Sequence, residues 1–413
     1  MLRRTLLVAA LALALPASAL AADPKWPEVN AALDPYVEKG ELAGMITLAL
    51  HKGRVVHASA VGQRDLATGA PMQMDTIVRA FSMTKPVTAV AMGVLRDEGK
   101  WKPDDPIAKF LPELAGLKVF KGMDPDGKPI LEAPASPPTV GQIMTHTAGF
   151  AYGFEPGYVE DQYRANNPLR AQTSKAAVAA IAALPLSYEP GARWKYSISM
   201  DVQGLIIERI TGQSLPQFMQ ARIFGPLKMV DTGFHVPAAK RGRFAALYEW
   251  KDGKLQPPAG GSPFLSAYEA DPGFASGGGG LVTTASDYAR FASMLLNGGT
   301  LDGKRILSAQ TTKEIMTSHL TPQILNGGFG IGIQRMRPGY EYGYNGVVVT
   351  DPVAAKVAMG KGSYLWDGAA GTWFWVDPEN QVVFVGLVQR LMGLGFPPLQ
   401  PVSQEAVKRS LSK

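Results

Sequence analysis

The sequence predicts an α/β (α+β) fold of two subdomains: the N- and C-terminal segments form one antiparallel sheet flanked by helices, with a mainly helical subdomain inserted between them. Three observations lead there. Two β-rich runs near the start, Ile46–Leu50 and Arg54–Val61, flank a tight turn at Lys52-Gly53. A second hairpin near the end, "GTWFWVDPENQVVFVGLVQR", turns at Asp377-Pro378-Glu379-Asn380. Between the hairpins the apolar residues recur at helical spacing. The expected boundaries are a discontinuous sheet-bearing subdomain, 22–105 and 251–413, and a helical insertion, 106–250.

Taken in order, the chain opens with "MLRRTLLVAALALALPASALAADP". Arg3 and Arg4 make a positive start, Leu6 to Leu15 an apolar stretch, and Ala19-Leu20-Ala21 a small-x-small cleavage site. The apolar stretch is short for a bilayer and is interrupted by Pro16, so the expectation is a cleaved signal peptide over 1–21 rather than a stable membrane anchor. The mature chain is then expected in the periplasm or outside the cell. Next, "PKWPEVNAALDPYVEKGEL" reads as an amphipathic helix broken by Pro35. After the first hairpin comes a helix beginning near Ser82. Residues 101–138 are rich in proline and glycine and read as surface connections. "TVGQIMTHTAGF", "SKAAVAAIAAL" and "MDVQGLIIERITGQ" read as helices, the last with Val202, Ile206, Ile207 and Ile210 on one face and Gly212 as its stop. In "SGGGGLVTTASDYARFASMLLNGG" a glycine turn precedes a helix capped near Ser286.

Composition narrows the function. A chain of 413 residues with 46% apolar and 18% charged residues can bury a large core and is not a disordered polymer. It contains no cysteine, which excludes a disulfide scaffold, a thiol nucleophile and an iron–sulfur cluster. The formal net charge is +6, and loss of Arg3 and Arg4 leaves about +4. Lysines and arginines are scattered singly, so nucleic-acid binding is not expected. The five histidines show no metal-ligand spacing, and neither a metal nor another cofactor is expected. "GGTLDGK" at Gly298–Lys304 resembles a phosphate loop, but Arg305 stands where a hydroxyl residue belongs. No serine lies in a Gly-x-Ser-x-Gly frame.

One pair carries chemistry. In "AFSMTKPVTAVAMGVLRDEGK", Ser82 and Lys85 are three residues apart on a helix and share a face, so a lysine amine can accept the serine proton. A second Ser-x-x-Lys, Ser410 to Lys413, lies at the C-terminus, where fraying is expected to disqualify it. Two later stretches add to Ser82. "GARWKYSISMD" puts Tyr196 in a loop before a helix, and "GSYLWDGAAGTWFWVDP" puts Trp366-Asp367-Gly368 on or beside a late strand.

Together these motifs resemble the serine β-lactamase and penicillin-binding superfamily, in its class C β-lactamase-like branch, and family VIII esterases most of all. "MTHTAGF", "EPGARWKYS", "GGGLVTTASDYARFASMLLNGG" and "GTWFWVDP" follow in the family's order, so the resemblance spans most of the mature chain. It implies a β-lactamase-like fold, with Ser82 as nucleophile, Lys85 as proton acceptor or relay, and Tyr196 sharing the base role and protonating the leaving group. Which of Lys85 and Tyr196 is the base stays open. It further implies an oxyanion hole from the N–H groups of Ser82 and Ala369, with Gly368 letting the strand lie close to substrate. His146 resembles a general base but belongs to a loop that is structural in this family.

Two departures point away from β-lactams. Ile198 stands where class C enzymes carry an amide-bearing Asn, and Trp366 where they carry a lysine that attracts the β-lactam carboxylate, with Asp367 beside it. Family VIII esterases share Trp-x-Gly. The expected protein is an exported carboxylesterase acting on small-molecule esters through an acyl-enzyme, with Tyr340, Tyr342, Tyr344 and Trp366 lining an apolar pocket. A β-lactamase or D-amino-acid peptide hydrolase taking a β-lactam-like substrate is the alternative, and a non-catalytic penicillin-binding-like protein a more distant one. Oligomeric state is not legible.

Overall fold

The structure is a computed structural model and describes residues 26–259, 268–327, 330–331, 334–335 and 338–413. The expected signal segment, 1–21, lies outside the described residues. Among these, no helix is long and apolar enough to cross a membrane.

Eight strands form the central sheet: β1 (Gly44–His51), β2 (Arg54–Asp65), β3 (Ala70–Pro71), β4 (Tyr340–Tyr342), β5 (Val347–Val349), β6 (Tyr364–Asp367), β7 (Trp373–Asp377) and β8 (Val382–Leu387). Their order is β4-β5-β6-β7-β8-β1-β2-β3, so the last strand of the sequence pairs with the first. Each neighbouring pair is antiparallel; Ile46 lies opposite Leu387 and Trp366 opposite Phe374. The sheet joins the two ends of the chain, as expected. At the first turn Lys52 and Gly53 both have positive φ, 50° and 73°, the backbone a two-residue hairpin requires. Asp377 closes the later turn by accepting from the backbone N–H of Asn380 at 3.0 Å.

The central strands β7 and β8 are buried along their whole length, which explains their unbroken apolar runs. Successive side chains leave opposite faces. Trp373 lies over Gly386, where an added Cβ would sit 2.2 Å from the indole, and its Nε1 donates to Ser403 of the C-terminal helix at 3.2 Å. Phe374 meets Tyr288 on the other face, their ring centroids 4.9 Å apart.

Among the helices that position the rest are α1 (Pro27–Leu33), α2 (Thr84–Asp97), α3 (Val140–Met144), α4 (Ser174–Ala182), α5 (Ser199–Thr211), α6 (Ala285–Leu296) and α7 (Leu399–Leu411). Helix α6 covers one face of the sheet, while α1 and α7 pack together on the other. Helix α2 is buried nearly all round, from Thr84 to Leu95, and packs against α5. Pro35 separates α1 from the short helix Pro35–Glu38, and Gly212, with φ 68°, ends α5.

Several expectations need correction. The cap of helix α6, expected near Ser286, is Thr284, whose side chain accepts from the Asp287 N–H. "TVGQIMTHTAGF" is helical only over α3, because His146 turns left-handed at φ 58°. The proline-rich 101–138 stretch contains a real hairpin, Val119–Met123 with Pro129–Glu132. Helix α7 is not frayed at Ser410: that side chain is 8% exposed and bonds Glu28 of α1 at 3.0 Å. It is a packing residue, far in sequence from the Ser82 group.

Candidate active site

Ser82 sits on a single 3₁₀ turn, Phe81–Met83, that runs directly into α2. Phe81 enters that turn at φ 45°, a left-handed conformation that is uncommon and strained for a residue with a side chain. The turn is held from outside. The Tyr288 hydroxyl donates to the Met83 carbonyl at 2.8 Å, and the Ala80 N–H donates to the Leu281 carbonyl at 2.9 Å.

Lys85, one helical turn on, is 1% exposed. Its Nζ donates to Ser82 Oγ at 2.9 Å and to the Gly278 carbonyl at 2.7 Å. Burial pulls the ammonium down to about 7, although the charges of Asp201 and Asp367 oppose the shift. A lysine with that value is largely a neutral amine just above neutral pH. The Tyr196 hydroxyl lies 2.6 Å from Ser82 Oγ, and the Lys85 Nζ stands 4.5 Å from the centre of its ring. Burial pushes the phenol well above its usual range, so it remains protonated. Ser82, Lys85 and Tyr196, 114 residues apart at the extremes, thus form one hydrogen-bonded group.

The third stretch closes over this group. Trp366 and Asp367 are the last two residues of β6, and Gly368 and Ala369 begin the turn into β7. An added Cβ on Gly368 would lie 2.3 Å from the Ala80 carbonyl oxygen. This glycine therefore lets the strand lie against the serine's own loop, where sequence reasoning had it making room for substrate. The Thr372 hydroxyl fixes the same contact, donating to the Ala80 carbonyl at 3.2 Å. Trp366 is 4% exposed and packs on Tyr196, centroids 5.8 Å apart, and edge-on to Tyr342 at 5.5 Å. Tyr342 thus joins the aromatic wall behind Tyr196, whereas Tyr344 stacks on His319 at 4.0 Å. Tyr340 is half-buried two residues earlier on β4.

His146 is wholly buried, and burial lowers its imidazole well below the usual value. Its Nδ1 faces Ser197 Oγ at 3.1 Å, and its carbonyl accepts from the Lys195 N–H at 2.9 Å. It supports the Tyr196 loop and bonds neither Ser82 nor Lys85. Ile198, 1% exposed, is a core residue at the start of α5.

Some important residues carried no usable sequence signal. Asn345 donates to the Lys85 carbonyl at 3.0 Å and exchanges two amide hydrogen bonds with Gln203 of α5. In the sequence it reads only as an Asn-Gly turn. Asp201 accepts from Ser276 at 2.5 Å and from the Gly278 N–H at 3.1 Å, holding the carbonyl that receives Lys85. The four glycines Gly277–Gly280 form the close-packed turn expected of them; an added Cβ on Gly277 would meet the Met200 carbonyl at 2.4 Å. No cluster among the described residues has three or more side chains able to hold a metal.

The sheet that joins both chain ends, with a hydrogen-bonded Ser-Lys-Tyr group at the start of a buried helix, defines the class of β-lactamase-fold proteins. The chain belongs to the Beta-lactamase family, whose profile matches residues 29–401. It is 36% identical over 366 residues to an uncharacterized protein of Mycobacterium tuberculosis, covering 87% of this chain and 89% of that one. It is 30% identical over 385 residues to Esterase EstB of Burkholderia gladioli, covering 89% of each. Among solved structures it resembles EstCE1, a hydrolase with promiscuous acyltransferase activity, with a TM-score of 0.78 at 24% identity over 93% of this chain and 98% of that one. A family VIII carboxylesterase superposes with a TM-score of 0.69 at 20% identity, over 94% and 98% of the two chains.

Proposed function

We propose that this protein is a carboxylesterase that cleaves small esters through an acyl-enzyme on Ser82. The observation that carries the reading is the pair of short contacts on one hydroxyl, 2.9 Å from Lys85 and 2.6 Å from Tyr196. Ser82 Oγ attacks the ester carbonyl carbon and its proton passes to the Lys85 amine, which burial keeps largely neutral. The phenol, held protonated, is a poor base, so Lys85 takes the base role, and Tyr196 hands its proton to the departing alkoxide as the Lys85 ammonium returns the serine proton to it. The oxyanion of the tetrahedral intermediate is received by the N–H groups of Ser82 and Ala369. Water, activated by the same group, then releases the acid.

The ester preference is supported by Trp366 and Ile198. Both are apolar and buried where a β-lactamase presents a cation and an amide, and the 30% identity to EstB points the same way. We also place the mature protein in the periplasm or outside the cell, on the strength of Arg3-Arg4, the apolar Leu6–Leu15 stretch and Ala19-Leu20-Ala21.

The test compares kcat/KM for p-nitrophenyl butyrate and a chromogenic cephalosporin, with Ser82→Ala as the control. The ester should lead by at least about 10³-fold. A cephalosporin rate equal to or above the ester rate would replace the esterase reading with that of a β-lactamase.

A further inference from the structure

Asp367 has no role in the chemistry above, yet it stands at its edge. It is the last residue of β6, opposite Trp373 of β7, and it immediately precedes Gly368, which touches the serine's loop. In the structure it is half-buried, and its carboxylate has no hydrogen-bond or ion-pair partner among the described residues. Lys85 does not neutralise it by contact, because Nζ is committed to Ser82 Oγ and the Gly278 carbonyl. The carboxylate nevertheless lies close enough that its charge raises both the Lys85 ammonium and the Tyr196 phenol.

The surroundings sharpen the chemistry. The other acid near Lys85, Asp201, is fully buried and bonded to Ser276 and Gly278, so it is closed to a ligand. The cation next to Tyr196 in the chain, Lys195, is matched by Glu155 and Glu160, the latter at 2.7 Å. The Tyr196 ring meets Trp366 at 5.8 Å, Tyr152 at 5.1 Å and Phe154 at 6.4 Å, and Phe154 is 62% exposed at the rim. An unpaired carboxylate one residue along the strand from the Trp366–Tyr196 contact is a setting for an organic cation, since carboxylates and ring faces both attract positive charge. The chain as a whole is basic, so this local acidity is not a reflection of overall charge.

We propose that Asp367 determines specificity by receiving a cationic leaving group: the preferred substrates are esters or thioesters of alcohols or thiols that carry a quaternary or protonated amine. The assignment to the leaving-group side follows from position: Trp366, the residue before Asp367, packs on Tyr196, the proposed donor to that group. The inference rests on the esterase reading.

Three butyryl thioesters test it: butyrylthiocholine, its neutral isostere S-(3,3-dimethylbutyl) thiobutyrate, and the anionic S-butyryl-2-mercaptoethanesulfonate. In each, the C–S bond breaks after Ser82 Oγ bonds the carbonyl carbon, and the sulfur leaves as the thiolate, which takes up the proton that Lys85 accepted from Ser82 or one from water. A thiol-reactive dye reads the product without background, because the protein has no cysteine. The assay runs at about pH 8, above the value of about 6 to which burial pushes the Asp367 carboxyl, so the carboxylate is ionised. Wild-type kcat/KM should favour the cation over the neutral isostere by about 10-fold or more, with the anion slower than the isostere by a similar factor. In Asp367→Asn the three should fall within about 3-fold of one another. Ratios taken within each variant cancel any effect of the change on Lys85.

A wild-type protein that turns over the thioesters without preferring the cation would overturn the inference alone, and so would a preference that persists in Asp367→Asn. The wild-type ratio needs no variant to fold. If no ester or thioester is turned over and no fluorophosphonate adduct forms on Ser82, the esterase reading falls and this inference with it.

Discussion

At the scale of single residues, the site is a balance of charges around one buried amine. Lys85 has about 7 as its folded value because burial outweighs the pull of Asp201 and Asp367. If the neutral amine is the working base, kcat/KM rises with pH and levels off above about 7, far below the ordinary lysine value of about 10.4. A pH profile for p-nitrophenyl butyrate checks this; a limb near the ordinary lysine value would contradict it. Tyr196→Phe removes the proton donor while keeping the ring against Trp366, and should lower kcat by on the order of 10²-fold or more. Unchanged kcat would remove Tyr196 from the mechanism. Gly368→Ala pushes a methyl to 2.3 Å from the Ala80 oxygen, so the serine's loop must move. The expected loss is about 1–3 kcal/mol of stability together with most activity, read by thermal unfolding and by rate.

At the scale of elements, the motif-bearing segments were legible because local chemistry fixes them. Lys52-Gly53 and Asp377–Asn380 are turn sequences between β-rich runs, and both hairpins form there. Ser82 and Lys85 share a face because a helix follows, and it does. What stayed hidden depends on contacts distant in sequence. Strands β4 and β5, only three residues each, have no length for a periodic signal and exist because β5 pairs with β6 and β4 with β5. Helix α7 was missed although it begins beside prolines, which are frequent at helix starts. The stop of α3 at His146 comes from a left-handed residue with no glycine to announce it. The start of α3 is conventional: Thr139 and Gln142 cap each other reciprocally. Thr139→Ala should cost about 1 kcal/mol in chemical denaturation, with little change in kcat. No measurable loss would mean that tertiary packing alone holds α3.

At the scale of the whole molecule, the site ties the sheet to the helices. Asn345, beside β4 and β5, bonds the carbonyl of Lys85 on α2 and the amide of Gln203 on α5. Asn345→Ala takes the donor from the buried Gln203 Oε1, while Gln203 Nε2 keeps the Ile143 carbonyl, and should cost about 1–3 kcal/mol. Such stitching predicts that activity and the tryptophan near-ultraviolet signal are lost at one unfolding midpoint in the wild-type protein. Activity lost well before that signal would mean that the helices open independently of the sheet. None of this coupling was visible in the sequence, since Asn345 and Lys85 are separated by 260 positions.

The central claim is a covalent acyl-enzyme on Ser82, and the most direct measurement is the mass of the protein quenched during turnover of p-nitrophenyl butyrate, followed by peptide mapping. The account predicts a butyryl group on Ser82 in the wild-type protein, more of it when a slow-deacylating ester is used, and none in Ser82→Ala. Steady ester hydrolysis with no acyl group on Ser82, or with the group on another residue, would contradict it.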